Sequence, residues 1–507
     1  MPVINSIISA FHSKRIKQIE HFRNHPEEVQ LAQFNTLIQK AAATTWGKQY
    51  DYKSIHSVET YQQRVPVQSY EDIMQHIVNL KQGEKDLLWP GKINWFAKSS
   101  GTTSSKSKFI PITNDSLHHC HYKGGRDVLA IYHQNYPENK LFSGKTLTLG
   151  GSHQINSFNV NSHYGDLSAI LIENLPFWTR YARTPGRKVA LLDEWEKKLE
   201  LITRETLRQN VTALAGVPSW FLVLLRHILK ASGKKHLLEI WPNLELFIHG
   251  GISFTPYRAQ YQEIIPSEGM RYLETYNASE GFFAIQDDPA IPAMLLMLDY
   301  GIFFEFMPLS EQGNQSPKTI LLNQVKTDED YALVISTNGG LWRYLIGDTI
   351  RFTSVNPFRI KISGRTKHYI NAFGEEVIID NAEKALETAC RETGAVIKEY
   401  TAAPVYMSAQ AKGAHEWLIE FEKEPEHKDR FIDLLDATLK EQNSDYEAKR
   451  YKDITLEKPH LTIAKQGLFF NWMKKKNKLG GQNKVPRLSN NREYMDELLL
   501  MNQTVSD

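Results

Sequence analysis

Apolar residues return every three to four positions along the start of the chain, at Ile16, Ile19 and Phe22 and again at Leu31, Phe34, Leu37 and Ile38. That spacing predicts amphipathic helix over the first 45 residues or so. A polar, partly helical stretch follows, in which Ser69 and Asp72 have the spacing of a capping box. Residues 108–113 read as a short strand, closed by Asn114-Asp115-Ser116 as a turn and helix start. Beyond it, 145–151 and 169–172 are β-prone runs set among Gly, Ser and Asn, and 189–210 is a charged amphipathic helix. Residues 211–220 read as a buried strand running into a loop, with an apolar helix after it, and two further strands are predicted at 244–251 and 271–276. Strands alternating with helices in this way point to an α/β architecture with parallel sheet flanked by helices.

The texture changes at Ala293. From there to Phe352 strand follows strand, with turns at Asp299-Tyr300-Gly301, Asp328-Glu329-Asp330 and Asn338-Gly339-Gly340, which predicts a smaller β-rich unit. It changes again at Gly364-Arg365-Thr366-Lys367. Helices at 381–392 and 429–442 and a strand at 416–421 then suit a small α+β domain. No internal repeat is present.

Composition narrows the partners. The 507 residues carry 60 basic and 58 acidic side chains, a net charge of +2, so no global field draws the chain to nucleic acid or an anionic membrane. Cys120 and Cys390 have neither metal-ligand nor redox spacing and read as reduced thiols of a cytoplasmic protein. Residues 3–11 lack a preceding basic segment and read as amphipathic helix, not as a signal sequence. The apolar stretch 291–306 is broken by Asp299 and Glu305 and is too short to span a bilayer. A monomer or weak oligomer is expected.

Candidate chemistry sits in loops at strand ends, where open α/β sheets bind ligands. Ser99-Ser100-Gly101-Thr102-Thr103-Ser104-Ser105-Lys106-Ser107-Lys108 offers hydroxyls, backbone N–H groups and two lysines, the chemistry of a phosphate cradle. It has neither P-loop nor G-x-G-x-x-G spacing, and by itself reads equally as a plain loop. Tyr276-Asn277-Ala278-Ser279-Glu280 combines an aromatic ring, a hydroxyl and a carboxylate suited to a base and a phosphate-bound magnesium ion, or is a loop with a helix cap. Asp348, after Gly347, is placed to take ribose hydroxyls, or ends a β-turn. Gly250 and Gly251 would let backbone approach a ligand, or simply make a turn. Lys474 to Lys478 read as a solvated face, whereas Lys484 lies in a Gly-Gly loop before Pro486 and presents a flexible cation. His118, His119 and His121 have no i, i+4 pair among them and read as ordinary helix histidines.

In their order these stretches resemble the adenylate-forming superfamily, and within it the auxin-responsive acyl acid amido synthetase family. The matching features are Ser99-Ser100-Gly101-Thr102, Tyr276-Asn277-Ala278-Ser279-Glu280 and Trp342-Arg343-Tyr344-Leu345-Ile346-Gly347-Asp348. Ala215-Gly216-Val217-Pro218-Ser219, Phe303-Phe304-Glu305-Phe306, Gly364-Arg365-Thr366-Lys367 and Asn483-Lys484-Val485-Pro486-Arg487 support them. Where the family's phosphate loop more often has an Ala-Gly pair, this chain has Ser104-Ser105, and its hinge is closer to general adenylate-forming enzymes.

The resemblance implies an N-terminal adenylation domain over 1–365, with a β-rich subdomain near 293–363, and a mobile C-terminal domain over 366–507. It implies an ATP- and Mg2+-dependent ligase that adenylates a small carboxylic acid and passes the acyl group to an amino acid amine. The phosphates would fall to Ser99, Ser100, Gly101, Thr102 and Thr103, with Lys108 nearby; the metal to Ser279 and Glu280; the nucleoside to Gly250, Gly251, Tyr276, Asn277, Asp348 and Arg365. Lys484 would bridge the carboxylate and the α-phosphate, Thr366 and Lys367 would form the hinge, and Val217, Pro218, Trp220 and Phe221 would line the acyl pocket. An acyl-CoA synthetase is the alternative enzyme, and a non-catalytic nucleotide- or nucleic-acid-binding protein the alternative of another class.

Overall fold

The computed structural model describes every residue except 1, 101–106, 150–154, 177–178, 180, 193, 253, 366–368, 409–410, 454, 477–484 and 505–507. Of residues 2–12, 100, 107, 195, 256, 365 and 504 only the backbone is described.

Strands β1 (Trp95–Ser100) and β2 (Ser107–Ile112) pair antiparallel, with Ser99 opposite Lys108. Next come β3 (Lys145–Thr148), β4 (Asn156–Asn159), β5 (Ser162–Gly165), β6 (Arg183–Thr184), β7 (Val211–Gly216), β8 (Leu246–Gly250), β9 (Arg271–Ala278) and β10 (Gly281–Ile285). The β-rich stretch supplies β11 (Met294–Leu296), β12 (Ile302–Pro308), β13 (Asp330–Thr337), β14 (Tyr344–Val355) and β15 (Phe358–Arg365). Eleven of these strands form one sheet in the order β12-β13-β14-β15-β11-β10-β9-β8-β7-β3-β6. From β6 to β9 neighbours run parallel. From β9 to β12 they run antiparallel, because Ser279-Glu280 is a two-residue turn that can only send the chain back beside β9. The β-rich stretch therefore extends the parallel sheet; it is not a separate layer. A second sheet, β2-β1-β5-β4, carries the hydroxyl-rich stretch.

The C-terminal domain pairs β16 (Tyr369–Ile370) with β17 (Val377–Ile378) and builds a sheet from β18 (Val396–Val405), β19 (Ala414–Lys423) and β20 (His460–Ile463). It is seated on the large domain through one continuous apolar cluster, in which Phe221, Phe247 and Tyr261 lie with Ile370, Phe373 and Trp417. Polar ties flank that cluster. The Tyr257 hydroxyl donates to the Ala372 carbonyl at 2.8 Å, Gln260 to Met407 at 2.7 Å and Arg226 to Ser408 at 2.8 Å.

Three local outcomes differ from the periodicity. Residues 169–172 lie in the helix Leu167–Glu173, burying Ala169, Ile170 and Ile172; a short apolar run has no period that tells helix from strand. The helix expected at 189–210 is two, Arg187–Ala190 and Trp195–Thr206. The helix that starts at Asn114 contains a π turn, Leu117–His121, before continuing as Tyr122–Asn135. The capping box does form: the Ser69 N–H donates to Asp72 Oδ2 at 2.7 Å.

Arg343 ties the β13–β14 connection to the helix Val58–Arg64. Its guanidinium donates to Glu305 at 3.1 Å, to the Val65 carbonyl at 2.7 Å and to Thr319 at 2.7 Å, and Gln62 donates to the same Glu305 at 2.8 Å. Arg343 and Glu305 are 5% and 0% exposed. Removing one partner of such a pair strands the other charge, at a cost of about 3–5 kcal/mol. Arg343→Ala is expected to lower stability by that amount in urea unfolding, and Arg343→Ala with Glu305→Gln to recover part of it.

Candidate active site

The turn between β9 and β10 is where the sequence motifs meet. Tyr276, buried near the end of β9, donates from its hydroxyl to Asp348 Oδ2 at 2.5 Å, and its ring lies 4.8 Å from that of Phe283. Asp348 is buried on β14 opposite Arg365 of β15. Two motifs 72 residues apart are thus in direct contact. Asn277 is held by His121, whose Nδ1 lies 3.1 Å from Asn277 Oδ1. Burial pushes the His121 imidazole down to about 4, so it is neutral at pH 7, and a proton on Nδ1 fits this bond. The π turn aims this pair: Cys120, beside His121, accepts the Phe282 N–H at 3.1 Å.

Glu280 follows in the same turn. Burial pushes its carboxyl up to about 7, Asp348 and Glu376 push the same way, and Lys108 opposes them. Lys108 is buried on β2, with its ammonium 5.7 Å from the Tyr70 ring. The hydroxyl stretch therefore reaches the β9–β10 turn through Lys108. Ser99 is half-buried at the end of β1 and Ser100 ends that strand; Gly101, Thr102 and Thr103 lie outside the described residues. Ser279 is half-buried beside Glu280.

Gly250 ends β8 with no room for a side chain, since a Cβ there would lie 2.3 Å from the Thr275 carbonyl oxygen. Its glycine is required by the neighbouring strand. Gly251 turns the chain at φ +81°, and Asn371 of the C-terminal domain donates to its carbonyl at 3.4 Å. Val217 and Pro218 begin the helix Pro218–Ser232. Phe221 packs in the core, 5.4 Å from the Phe247 ring, whereas half-buried Trp220 has the Lys449 ammonium 4.6 Å from its ring. Lys484, Thr366 and Lys367 lie outside the described residues, and of Arg365 only the backbone is described.

Five charged residues that sequence reasoning passed over join the cleft. Glu376, Asp445 and Lys449 come from the C-terminal domain, Lys98 from β1 and Asp166 from the end of β5. Burial pushes the Asp445 carboxyl up to about 7, opposed by Lys449 and Lys98 and reinforced by Glu376 and Asp166. Isolated acids and lysines carry no sequence signal that separates them from solvated ones. Among the described residues no group of three His, Cys, Asp or Glu forms a metal cage. A hollow of about 440 Å³ lined by Trp95, Ile155, His163, Glu173 and Leu191 lies at the opposite ends of β1 and β5, and its Glu173 is already paired with Arg187.

The fold is one shared with solved acid–amine and acid–CoA ligases. A solved acyl acid amido synthetase, AtGH3.15 in complex with 2,4-DB, matches with a TM-score of 0.63 and 17% identity over 97% of this chain and 96% of its own. A 2-hydroxyisobutyryl-CoA ligase matches with a TM-score of 0.54 and 14% identity over 95% and 93%. Family models described as the GH3 family N-terminal, central and C-terminal domains match residues 15–270, 295–365 and 380–493, and the chain belongs to the GH3 family. Among curated relatives, the indole-3-acetic acid-amido synthetase GH3.4 of Arabidopsis thaliana is 22% identical over 76% of this chain and 76% of its own. The 4-substituted benzoates-glutamate ligase GH3.12 of the same plant is 22% identical over 85% and 87%.

Glu280 makes the site pH-sensitive. Its folded value of about 7 lies above the ordinary 4.5, so the native state holds the proton more tightly than the unfolded state, and its contribution to stability falls as pH rises from about 4.5 to 7. Glu280→Gln removes that cost. The variant is expected to unfold at higher urea than the parent at pH 8, by up to roughly 3 kcal/mol, with the gain vanishing near pH 4.5.

Proposed function

We propose that this chain uses ATP to adenylate a small carboxylic acid and transfers the acyl group to the amine of an amino acid. The contact of Tyr276 with Asp348, 2.5 Å long and set beside Lys108 and Glu280, carries this reading. It joins a ring for the adenine, a carboxylate for the ribose and a cation and carboxylate for the phosphate end. Relatives named for amide formation with indole-3-acetic acid or glutamate support the acceptor being an amine and not coenzyme A.

The residues suit a triphosphate and a divalent cation. Glu280 keeps its proton up to about pH 7 because it is buried beside Asp348 and Glu376, an excess of negative charge that a hard cation relieves. One carboxylate and a hydroxyl, Glu280 and Ser279, match magnesium, which takes its other oxygens from phosphate and water. Bound there, it supplies charge neutralisation on the phosphates.

A carboxylate is a poor electrophile, so an acid oxygen first attacks the α-phosphorus and pyrophosphate leaves. This chain's part is positioning and charge. Asp348 accepts from the ribose hydroxyls while Tyr276 holds it in place. Lys108 and the 99–103 stretch face the departing phosphates. Lys484 pairs with the attacking carboxylate and the α-phosphate. The amine nitrogen then attacks the acyl carbon, the bond to AMP breaks, and the ammonium proton passes to a carboxylate of the cleft. Rotation of residues 366–507 about Thr366 and Lys367 admits the amine after adenylation. We place the reaction in the cytoplasm, in a monomer or weak oligomer.

ATP–pyrophosphate exchange across aryl, indolyl and aliphatic carboxylic acids tests this directly; no exchange with any acid would sink it. Lys484→Ala is expected to lower exchange about 100-fold or more and to leave amide formation from a supplied acyl-adenylate intact, and equal loss of both would refute the split. Asp348→Asn is expected to raise the KM for ATP about 10-fold or more.

A further inference from the structure

Arg183 is a half-buried cation with no ion-pair partner among the described residues. It lies on β6, the edge strand of the large sheet, opposite Thr146 of β3. Thr146 in turn stands opposite Ala213 of β7, so Arg183 points to the face on which Ala213 packs in one core with Val128 and Ile131 of the helix Tyr122–Asn135. Its Nε and Nη2 atoms are both buried and both without a hydrogen-bond partner. Those two nitrogens form the side-on fork of the guanidinium, whose two parallel N–H groups match the two oxygens of a carboxylate.

Among the described residues nothing neutralises it. Among the described residues the Tyr122 phenol is its one electrostatic partner, and burial raises the phenol's pKa far above neutrality, so it carries no charge at pH 7. The phenol's proton is committed to the Leu171 carbonyl at 2.9 Å. Glu173, at the end of the helix that holds Leu171, is paired with Arg187. Burial without compensation lowers the pKa of the Arg183 guanidinium.

The position adjoins the nucleotide motif. Tyr122 directly follows His121, whose ring meets Asn277 at 3.1 Å. Two consecutive residues of one helix therefore separate the orphaned fork from the β9–β10 turn. On this side of the sheet the helices Tyr122–Asn135 and Leu167–Glu173 contribute Ile131, Ile170 and Leu171 to the same apolar cluster as Ala213.

We propose that Arg183 binds a substrate carboxylate other than the one being activated. Resting on the adenylation reading above, this defines the ligand class as a carboxylate presented in bidentate fashion in an otherwise apolar space. Two sources share that chemistry: the second carboxylate of a dicarboxylic acid serving as acyl donor, and the α-carboxylate of the amino acid acceptor.

The test compares the parent enzyme with Arg183→Met, which keeps the apolar stem, and Arg183→Lys, which keeps the charge and loses the fork. Exchange is measured with monocarboxylic and dicarboxylic acids, and amide formation with amino acids and with amines lacking a carboxylate. If the acid supplies the carboxylate, Arg183→Met raises the exchange KM for dicarboxylic acids about 10–100-fold against little change for monocarboxylic ones. If the acceptor supplies it, exchange is unaltered and the KM for amino acids rises by the same factor, with simple amines unmoved. In either case Arg183→Lys recovers part of the loss, kcat changes less than KM, and Arg183→Met unfolds no earlier than the parent in the absence of ligand. An equal change for all acids and all acceptors, or an unaltered KM throughout, overturns the proposal. Calorimetric titration of glutarate and phthalate is read separately. Binding lost in Arg183→Met supports the carboxylate site even where no acid sustains exchange, so failure of the site and failure of the adenylation reading are distinguishable.

Discussion

Strand β9 is parallel to β8 along one edge and antiparallel to β10 along the other, and the chemistry of this protein depends on that change of direction. A parallel strand ends where its neighbours end, so Thr275 and Tyr276 arrive at the same rim as Gly250 of β8. The two-residue turn at Ser279 and Glu280 then reverses the chain and commits the next strands to an antiparallel extension, which returns at β14 with Asp348 against the Tyr276 hydroxyl. A longer connection would have allowed a crossover and another parallel strand, leaving Asp348 with no path back to Tyr276. One turn thus decides both the topology of the sheet and the meeting of the two motifs.

The cleft built on that turn is held away from electrostatic balance. Among the described residues Asp166, Glu280, Asp348, Glu376 and Asp445 outnumber Lys98, Lys108 and Lys449, and Glu280 and Asp445 are pushed up to about 7 by burial and by neighbouring acids. A structural network is arranged differently. Arg15 meets both Asp127 and Asp299, and Arg359 meets Asp287, each with close paired geometry. Those arginines hold elements together, whereas the cleft keeps carboxylates poised to lose a proton when positive charge arrives. Because Glu376, Asp445 and Lys449 belong to the C-terminal domain, the charge state of the cleft also registers whether that domain is seated.

Much of this was legible in the chain. The strands at 107–112, 145–148, 211–216, 246–250 and 271–278, the strand-rich stretch after 293 and the α+β C-terminal texture follow from periodicity, because each element buries one face. The Tyr276 and Asp348 motifs were legible as ligand-binding candidates because their residue types are unusual in combination. Other features were not. Residues 169–172 are apolar without a period, and Ser279-Glu280, legible as a candidate metal pair, is recognised as a chain-reversing turn only when β10 is seen to pair with β9. The π turn at Leu117–His121 adds a residue to a helix whose pattern is otherwise ordinary, and only its partners on β9 and β10 give it a purpose. Gly250 was legible as a close approach, but the atom that approaches is the Thr275 carbonyl.

Two arginines show why charge is the least legible property of a sequence. Arg343 sits in a recognisable motif yet is consumed by structure, with Glu305, Thr319 and the Val65 carbonyl taking its donors. Arg183 sits in no motif, on a two-residue edge strand, and keeps two buried donors with no acceptor. A buried guanidinium is tolerated in a native protein when its partners are present, and the partners of the Arg343 guanidinium are 24 to 281 residues away in the chain. Whether an arginine is spent or available is therefore settled by long-range pairing and not by its neighbours in sequence. By that criterion, among the described residues, a cation still in need of an anion lies at the sheet edge, next to the helix whose His121 holds Asn277.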